Sequence, residues 1–378
     1  MFYLLTVLTL LFDGQSTTFR VNRTWNYNFF NSVPTFRGNW HRTGSSEVNG
    51  PLSYRVKWSF QARKSIYSSP VIDSRGLIYF GSQDGYLYCL DKKGKLKWKF
   101  FAGNDIDSTP TVGNDGSVYF GSDNGWFYSV KSNGSLNWKV NTGGPMRSGS
   151  LVLDDGTVVL AQYNGYIQAY KQGTRLWSQY LSGGWSNSSP SWDSKNELIF
   201  VANNRGYISA FTKAGALKWS YNLQGYHYNG AVQNATMPID QEGNIYLAAN
   251  SGLYCLNSSG KLLWSNNKVK ATMPPSITRD RHLVIVDMSG ILYRLNLSGK
   301  IIWQKKISNY GNYSNILVDK SGNMYFGSRD DYFYGVDATG NKLFSRFLGT
   351  DIDSSPAMTS EGCIVFGADN GLLQSICR

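Results

Sequence analysis

Residues 78–98 of this chain read IYFGSQDGYLYCLDKKGKLKW, and the same pattern returns along most of the 378-residue sequence. Residues 118–138 read VYFGSDNGWFYSVKSNGSLNW, and residues 158–177 read VVLAQYNGYIQAYKQGTRLW. Each copy ends on an aromatic residue, and a glycine lies four positions before it. The closing aromatics of the seven copies are Trp98, Trp138, Trp177, Trp219, Trp264, Trp303 and Phe344.

The spacing of these aromatics predicts the architecture. They lie 40, 39, 42, 45, 39 and 41 residues apart. A fixed period near 40 residues, with four short strands in each unit, is typical of a β-propeller blade. Because propellers most often present ligands and partners on their loops, the period also favours a binding function over a catalytic one.

The first unit predicts four antiparallel strands, at Ser68–Ile72, Leu77–Gly81, Tyr86–Leu90 and Lys95–Phe100. Apolar and polar residues alternate along the outermost strand, which places Trp98 on one face and the lysines on the other. Since every unit repeats this pattern, we expect the closing tryptophans to pack between blades and to be mostly buried.

The two ends of the repeat region predict how the ring closes. The last unit, Ser354–Cys377, stops after three strands, whereas Tyr54–Phe60 is an unpaired outer strand with Trp58 placed 40 residues before Trp98. Pairing the two would remove an exposed sheet edge. The predicted fold is therefore all-β, an eight-bladed propeller of four-stranded antiparallel blades over residues 54–378, closed by its N-terminal strand.

The first residues predict an extracytoplasmic protein. Residues 2–12, FYLLTVLTLLF, are apolar but too few to span a bilayer, and small residues follow at Gly14 and Ser16. We interpret residues 1–16 as a signal peptide and residues 17–53 as a lead-in segment. The expected product is secreted, or periplasmic in a bacterium, and monomeric, with no membrane span.

Seven Asn-x-Ser/Thr sequons are candidate glycosylation sites, although about five would arise by chance in a chain of this composition. Asparagine is also favoured in tight turns for its own backbone contacts, so the sequons alone do not establish a glycoprotein. They lie at Asn22, Asn133, Asn187, Asn234, Asn257, Asn296 and Asn312.

The D-x-x-G-x-x-x-W pattern that follows G-S-x-D-G-x-L-Y resembles the pyrroloquinoline-quinone-like repeat, as does the lead-in sequence FRGNWHRTG at Phe36–Gly44. The resemblance covers roughly residues 36–378 and implies one of two groups. Quinoprotein dehydrogenases are longer and carry an adjacent cysteine pair, whereas the four cysteines here are isolated. The chain is more similar to the cofactor-free group typified by the assembly lipoprotein of the bacterial β-barrel assembly machine, which implies no cofactor.

Known catalytic and metal-binding motifs are absent from the sequence. The three histidines have no metal-ligand spacing with one another or with cysteine. No GxSxG, GxGxxG or GxxxxGK[ST] motif occurs, so serine hydrolase, Rossmann and P-loop interpretations have no support. Nucleic acid binding is not expected either, because no recognition motif is present.

One candidate ligand-binding rim emerges from two near-identical loops, GNDIDSTP at 103–110 and GTDIDSSP at 349–356. We expect such loops to gather around one mouth of the central channel, where carboxylates among aromatics can bind a sugar, a peptide or a cation. The alternative is that the aspartates only satisfy turn backbone. The candidates are Asp105, Asp107, Trp185, Tyr226, His227, Tyr228, Tyr310, Asp351 and Asp353, with Tyr313 beside them.

The sequence therefore favours a binding or scaffold propeller with a protein or glycan partner. The alternative is an enzyme at the channel mouth, acting on polysaccharide or using a bound quinone. Among the cysteines, Cys363 and Cys377 lie on adjacent predicted strands and are a candidate disulfide. Cys89 and Cys255 fall on opposite sides of an eight-bladed ring, which is too far apart for a bond.

Overall fold

The computed structural model describes residues 35–39, 41–181, 184–223 and 236–378. Within these ranges the chain is all β apart from one short 3₁₀ helix, η1 (Phe36–Gly38). No helix of the described residues is long and apolar enough to cross a membrane. The predicted signal peptide lies outside the described residues.

The strands form eight antiparallel sheets, and each sheet is one blade. The first strand, β1 (Val56–Gln61), belongs to the last blade. Blade 1 contains β2 (Val71–Ile72), β3 (Ile78–Gly81), β4 (Tyr86–Leu90) and β5 (Leu96–Phe101). Blade 2 contains β6 (Thr111–Val112), β7 (Val118–Gly121), β8 (Trp126–Val130) and β9 (Leu136–Asn141). Blade 3 contains β10 (Leu151–Val152), β11 (Val158–Ala161), β12 (Tyr166–Lys171) and β13 (Thr174–Tyr180). Blade 4 contains β14 (Ser191–Asp193), β15 (Leu198–Ala202), β16 (Tyr207–Thr212) and β17 (Leu217–Asn222).

The second half of the ring repeats this order. Blade 5 contains β18 (Ile245–Ala249), β19 (Gly252–Leu256) and β20 (Leu262–Asn266). Blade 6 contains β21 (Ser276–Ile277), β22 (His282–Val286), β23 (Ile291–Asn296) and β24 (Ile301–Lys306). Blade 7 contains β25 (Leu317–Val318), β26 (Met324–Gly327), β27 (Tyr332–Val336) and β28 (Lys342–Phe347). Blade 8 contains β29 (Ala357–Met358), β30 (Ile364–Gly367) and β31 (Leu372–Ile376) together with β1.

The innermost strands are shorter than the sequence predicted. The expected strand at Ser68–Ile72 is reduced to β2, because Pro70 has no N–H to contribute to a ladder. In blade 5 the innermost segment pairs only through an isolated bridge between Ile239 and Ile245, next to Pro238.

The predicted ring closure is confirmed. Strand β1 pairs antiparallel with β31, and the register joins Trp58 to Ser375 and Gln61 to Leu372. Apolar residues of blades 8 and 1, including Val365 and Phe80, then form one continuous core cluster. Seven further clusters fill the other seams between consecutive blades, so the core is a ring of interfaces.

Seven of the eight seams are fastened at their periphery by a tryptophan that contacts the next blade. Trp98 lies against Gly134 in the outer turn of blade 2, and its Nε1 donates to Ser132 O at 2.9 Å. A Cβ on Gly134 would approach the indole ring to 2.8 Å, so a side chain there would collide with it. The same donation to the next outer turn is made by Trp58, Trp177, Trp219 and Trp264.

The closing aromatics have most of their surface covered, as expected. All eight keep only a minority of their surface exposed, because one ring face contacts the next blade while the outer strand lies at the edge of its sheet. They lie at the seams, as the repeat predicted. Phe344, the exception to tryptophan, packs edge-on against Tyr54 at a centroid distance of 5.8 Å.

The lead-in segment runs along the inner strands and blocks part of the channel. His41 O accepts from Ile239 N, Thr43 O from Ile277 N and Gly44 O from Val318 N, all within 2.8–2.9 Å. The Arg42 side chain is fully buried and donates to the backbone carbonyl oxygens of Ser150 and Pro190. A segment outside the repeat therefore links the inner strands of blades 3 to 7.

The last strand is joined to its neighbour by a disulfide between Cys363 and Cys377, whose Cα atoms are 4.4 Å apart. These residues flank the ends of β30 and β31, and Cys377 N also donates to Arg55 O. Cys89 and Cys255 are buried and free.

Two substitutions of Trp98 separate the two parts of the seam contact, which are the packing of the ring and the hydrogen bond. We expect Trp98→Phe to cost about 1 kcal/mol of unfolding free energy, since the ring contact with Gly134 stays and the hydrogen bond is lost. Trp98→Ala removes both and should cost roughly 3 kcal/mol. Chemical denaturation of the two variants measures both values, and equal losses would contradict a separate contribution from the ring.

The disulfide closes a loop of 14 residues, for which the chain-entropy model predicts a contribution of about 3 kcal/mol. We expect the double variant Cys363→Ser, Cys377→Ser to unfold at a clearly lower temperature than the wild type under oxidising conditions. Adding a reductant should lower the wild-type midpoint and leave the double variant unchanged. Non-reducing peptide mapping that finds both thiols free would contradict the bond.

Candidate functional site

One end of the channel is formed by two sets of loops, and we call it the channel mouth. The first set joins the outer strand of one blade to the inner strand of the next, and the second joins the second and third strands within a blade. The two sets are hydrogen-bonded to each other around the ring. Asp123 N donates to Asp105 O at 2.9 Å, and Asp369 N donates to Asp351 O at 3.1 Å.

The structure brings most of the predicted rim residues to this mouth. Asp105, Asp107, Trp185, Tyr310, Asp351 and Asp353 all lie on its loops. Tyr226, His227 and Tyr228 lie outside the described residues. The two near-identical loops flank Tyr67, because the inner strands that follow them are bonded to the one that follows Tyr67.

The first charged cluster of the mouth centres on Arg147, which enters from blade 3. Its guanidinium donates to both carboxylate oxygens of Asp123 at 2.6–3.1 Å and lies 3.7 Å from Asp107 Oδ2. Asp107 is only 2% exposed, and burial together with the charge of Asp123 raises its pKa to about 6. Two carboxylates therefore share one arginine.

An aromatic pair adjoins this cluster. The rings of Tyr163 and Trp185 are stacked, with centroids 4.8 Å apart and planes 4° apart, and the Arg147 guanidinium lies 5.9 Å from the Tyr163 ring. Stacked aromatic rings beside a cation form a flat, partly polar surface that suits contact with a protein or sugar.

The second charged cluster centres on Arg329, in blade 7. Its guanidinium is stacked 3.5 Å above the centroid of Tyr313, and its Nη2 lies 3.2 Å from Asp353 Oδ2. Asp351 is more distant, with 3.9 Å between its Oδ2 and Arg329 Nε. The pKa of Asp353 is raised by burial, and that of Asp351 by burial and by the charge of Asp353.

A third carboxylate, Asp369, extends the second cluster into blade 8. Burial, followed by repulsion from Asp353, raises the pKa of Asp369 to about 8. Its Oδ1 has no hydrogen-bond partner among the described residues. Tyr67 lies beside it, and burial together with the negative charge of Asp369 raises the Tyr67 pKa to about 12. At neutral pH Asp369 is therefore mostly protonated, and Arg329 balances the charges of Asp351 and Asp353.

Two cavities adjoin the channel. One of about 340 Å³ opens at the mouth beside Arg329, and its wall is formed by Thr272, Met288, Tyr310, Gly311, Tyr313, Arg329 and Asp351. Another of about 280 Å³ lies between the lead-in segment and the inner strands of blades 7, 8 and 1.

Several mouth residues were missed from the sequence: Tyr67, Asp123, Arg147, Tyr163, Arg329 and Asp369. Their chemistry differs from blade to blade, so no motif identifies them. Aligning the repeats in phase would have found them, because Tyr67, Arg147 and Tyr313 occupy the loop position of Asp107 and Asp353.

The fold places some of the sequons in outer turns and buries others. Asn133, Asn257 and Asn296 lie in outer turns, where each Oδ1 accepts backbone N–H groups, and they stay candidates for glycosylation. Asn187 and Asn312 are 3% and 2% exposed. The expectation is wrong for these two, because a buried amide leaves no room for a glycan. Asn22 and Asn234 lie outside the described residues.

Comparison with known proteins supports the architecture. The family described as outer membrane protein assembly factor BamB matches residues 83–305. No curated protein matches the sequence. The crystal structure of BamB from Moraxella catarrhalis is similar at a TM-score of 0.72 and 14% identity, covering 86% of this chain and 100% of that one.

Quinone-dependent enzymes share the fold as well. A europium-containing methanol dehydrogenase matches at a TM-score of 0.75 and 15% identity, over 89% of this chain and 90% of that one. A quinohemoprotein alcohol dehydrogenase from Comamonas testosteroni matches at a TM-score of 0.73 and 14% identity, over 91% of this chain and 80% of that one. At these identities the likeness establishes the fold alone.

The described mouth residues offer no set of ligands for the metal that accompanies a quinone. Within the described ranges, no group of three or more His, Cys, Asp or Glu side chains is arranged to hold a metal ion. The cysteines do not lie at the mouth either, since Cys89 and Cys255 are buried inside blades and Cys363 is bonded to Cys377.

The raised pKa of Asp369 predicts a pH-dependent stability. In the folded state its pKa is about 8, whereas an unfolded aspartate titrates near 3.9. Folding therefore becomes less favourable as the pH rises from about 4 to about 8, and the cost is constant above that. We expect Asp369→Asn to raise the thermal midpoint, by an amount that grows from pH 5 to pH 8.5.

Asp91 provides a control of opposite sign. Its slight burial pushes its pKa up, but the backbone N–H groups of Lys95 and Lys93 outweigh this and hold the pKa below the usual value. Its stabilising contribution is present above the unfolded pKa, so Asp91→Asn should lower the midpoint slightly at neutral pH. If Asp369→Asn also lowered the midpoint at pH 8.5, the assigned charge state of Asp369 would be wrong.

Proposed function

The chain belongs to the family of the outer membrane protein assembly factor BamB, and from this premise we propose that it is a non-catalytic, extracytoplasmic scaffold that binds a protein partner through the channel mouth. The observation that carries the proposal is the character of that mouth. Its loops display exposed apolar and aromatic side chains beside charged groups, as in Tyr310, 63% exposed, and Met288, 55% exposed. Large side chains of this kind are typical of binding surfaces.

The charged groups of the mouth support binding rather than catalysis. Arg147 and Arg329 are held by carboxylates and stacked near tyrosine rings, so each guanidinium has a fixed position. Fixed charges among aromatic surfaces give a partner both orientation and contact area. A general acid or base would need a reactive group aimed at an enclosed substrate site, and Asp107, Asp123 and Asp353 are instead engaged by arginine.

Two features support an extracytoplasmic location. The bond between Cys363 and Cys377 would persist in an oxidising compartment and not in the cytosol. The apolar run at residues 2–12 has the length of a signal-peptide core. Both agree with the place of an outer-membrane assembly factor.

The proposal is tested by comparing two sets of surface variants in partner capture from an extract of the native compartment. We expect the mouth variants Trp185→Ala and Tyr310→Ala to lose a protein that the wild type retains. The outer-wall variant Leu217→Ala is the matched control, because Leu217 is 55% exposed and lies at the start of β17, at the end of its blade opposite the mouth. It should retain the protein.

Three results would count against this function. Capture that survives both mouth variants but fails with Leu217→Ala would move the interface to the outer wall. A purified protein with near-ultraviolet absorption beyond that of its Trp and Tyr residues would indicate a bound quinone and favour an oxidoreductase. Retention of a glycan instead of a protein on a glycan array would change the class of partner.

A further inference from the structure

The cavity of about 340 Å³ at the mouth has a wall of unusual composition for the surface of a basic protein. Tyr310 and Met288 are its exposed apolar side chains, and Tyr313 and Asp351 are also part of its wall. A volume of this size lies at the lower end of small-ligand pockets, which span roughly 300–1,000 Å³. It suits one long side chain better than a folded surface.

Carboxylates lie on one side of this cavity. Asp351, Asp353 and Asp369 lie in one sector, and Arg329 is the cation that acts on all three. Asp369 is mostly protonated at neutral pH because its pKa is about 8, so Asp351 and Asp353 carry the negative charge. The guanidinium of Arg329 is already engaged, by the Tyr313 ring on one face and by the two nearer carboxylates at its N–H groups. It therefore does not offer a free site for an anion.

The opposite sector of the mouth provides a contrast. There Arg147 binds Asp123 through short bonds and reaches Asp107 as well, so two carboxylates share one cation. Around Arg329 the bonds are longer and a third carboxylate, Asp369, has an oxygen without a hydrogen-bond partner among the described residues. Asp351, 3.9 Å from the guanidinium, is thus less closely paired than Asp123 in the opposite sector, and it lines the cavity.

We propose that this cavity receives a lysine or arginine side chain from an extended segment of the partner protein. The inference rests on the proposed function and adds the chemistry of the partner. The methylene groups of such a side chain would lie along Met288, its cationic end would face the Tyr310 ring, and Asp351 would pair with it. Cations stack favourably on tyrosine faces, and long basic side chains bury their stems on apolar surface.

The formal net charge of the whole chain opposes the binding of a basic segment except at a local acidic site. At +12 the protein repels cationic ligands in general, so any binding of a basic peptide has to come from a local acidic site. Of the described mouth sectors, the one around Asp351 combines such a charge with a cavity.

The experiment uses the full-length protein and a fluorescein-labelled tetralysine peptide, titrated by fluorescence anisotropy at low salt. We expect Asp351→Asn to weaken binding roughly fivefold, as loss of one charge pair would. Asp105→Asn is the matched control, because it occupies the same position in the near-identical loop of blade 2, away from the cavity. Its affinity should equal that of the wild type.

A second variant guards against a folding defect. Tyr310 is exposed, so Tyr310→Ala should leave the thermal midpoint unchanged and still weaken tetralysine binding, by roughly threefold. Tetraglutamate, which a net charge of +12 attracts, should bind Asp351→Asn no more weakly than the wild type. Equal affinity of Asp351→Asn and Asp105→Asn for tetralysine, or an equal loss of tetraglutamate binding in Asp351→Asn, would overturn the inference.

The outcomes separate this inference from the function on which it rests. If Tyr310→Ala and Trp185→Ala abolish capture of the partner but tetralysine does not bind the wild type, the mouth is the interface and the partner is not recognised through a basic side chain. If the mouth variants leave capture intact, the proposed function itself fails, whatever the peptide does.

Discussion

The whole ring depends on one repeated contact, the packing of an indole ring onto a glycine in the outer turn of the next blade. The contact needs three things at once. The turn residue must lack a side chain, as at Gly94 with φ of +78°, the ring must be flat, and a carbonyl must face its N–H. Since each blade supplies the ring for one seam and the glycine for another, no blade is complete alone. This is why the glycine and the aromatic recur in step along the sequence.

The exception among the closing aromatics follows from the same contact. Phe344 faces blade 8, where the outer strand and its neighbour come from opposite ends of the chain and no hairpin turn joins them. A seam without that turn offers no glycine surface and no turn carbonyl for an indole N–H. A phenyl ring packed against Tyr54 meets the packing requirement alone. A related substitution occurs between blades 6 and 7. There Arg294 donates to Ala338 O, in the outer turn of blade 7 that Trp303 contacts.

The fold could be predicted from the sequence because its determinants are local and repeated eightfold. The period fixed the blade count, and the incomplete last unit with the strand around Trp58 fixed the closure. How much of each tryptophan stays exposed could not be predicted in this way, since alternation indicates a face of a strand and not its distance from the edge of the sheet. Nor could the course of the lead-in segment, because Arg42 and its carbonyl partners in blades 3 and 4 are joined only by tertiary contacts.

The mouth residues could be predicted only in part, because the seams and the mouth loops place different demands on the sequence. The seams demand the same residues in every blade, whereas each mouth loop contributes one side chain of unconstrained chemistry. Asp107 and Asp353 were found because two loops agree, and Arg147 was missed because its loop does not. Because packing leaves the residue type at these positions free, the unfavourable effect of Asp369 on folding stability is informative. A carboxylate whose pKa is raised to about 8 opposes folding at neutral pH, and packing does not require it there, because the equivalent position in blade 1 is the uncharged Gln83. Local departures from favourable electrostatics tend to mark functional positions. The acidic sector is therefore better explained by what the mouth binds than by what holds the ring together.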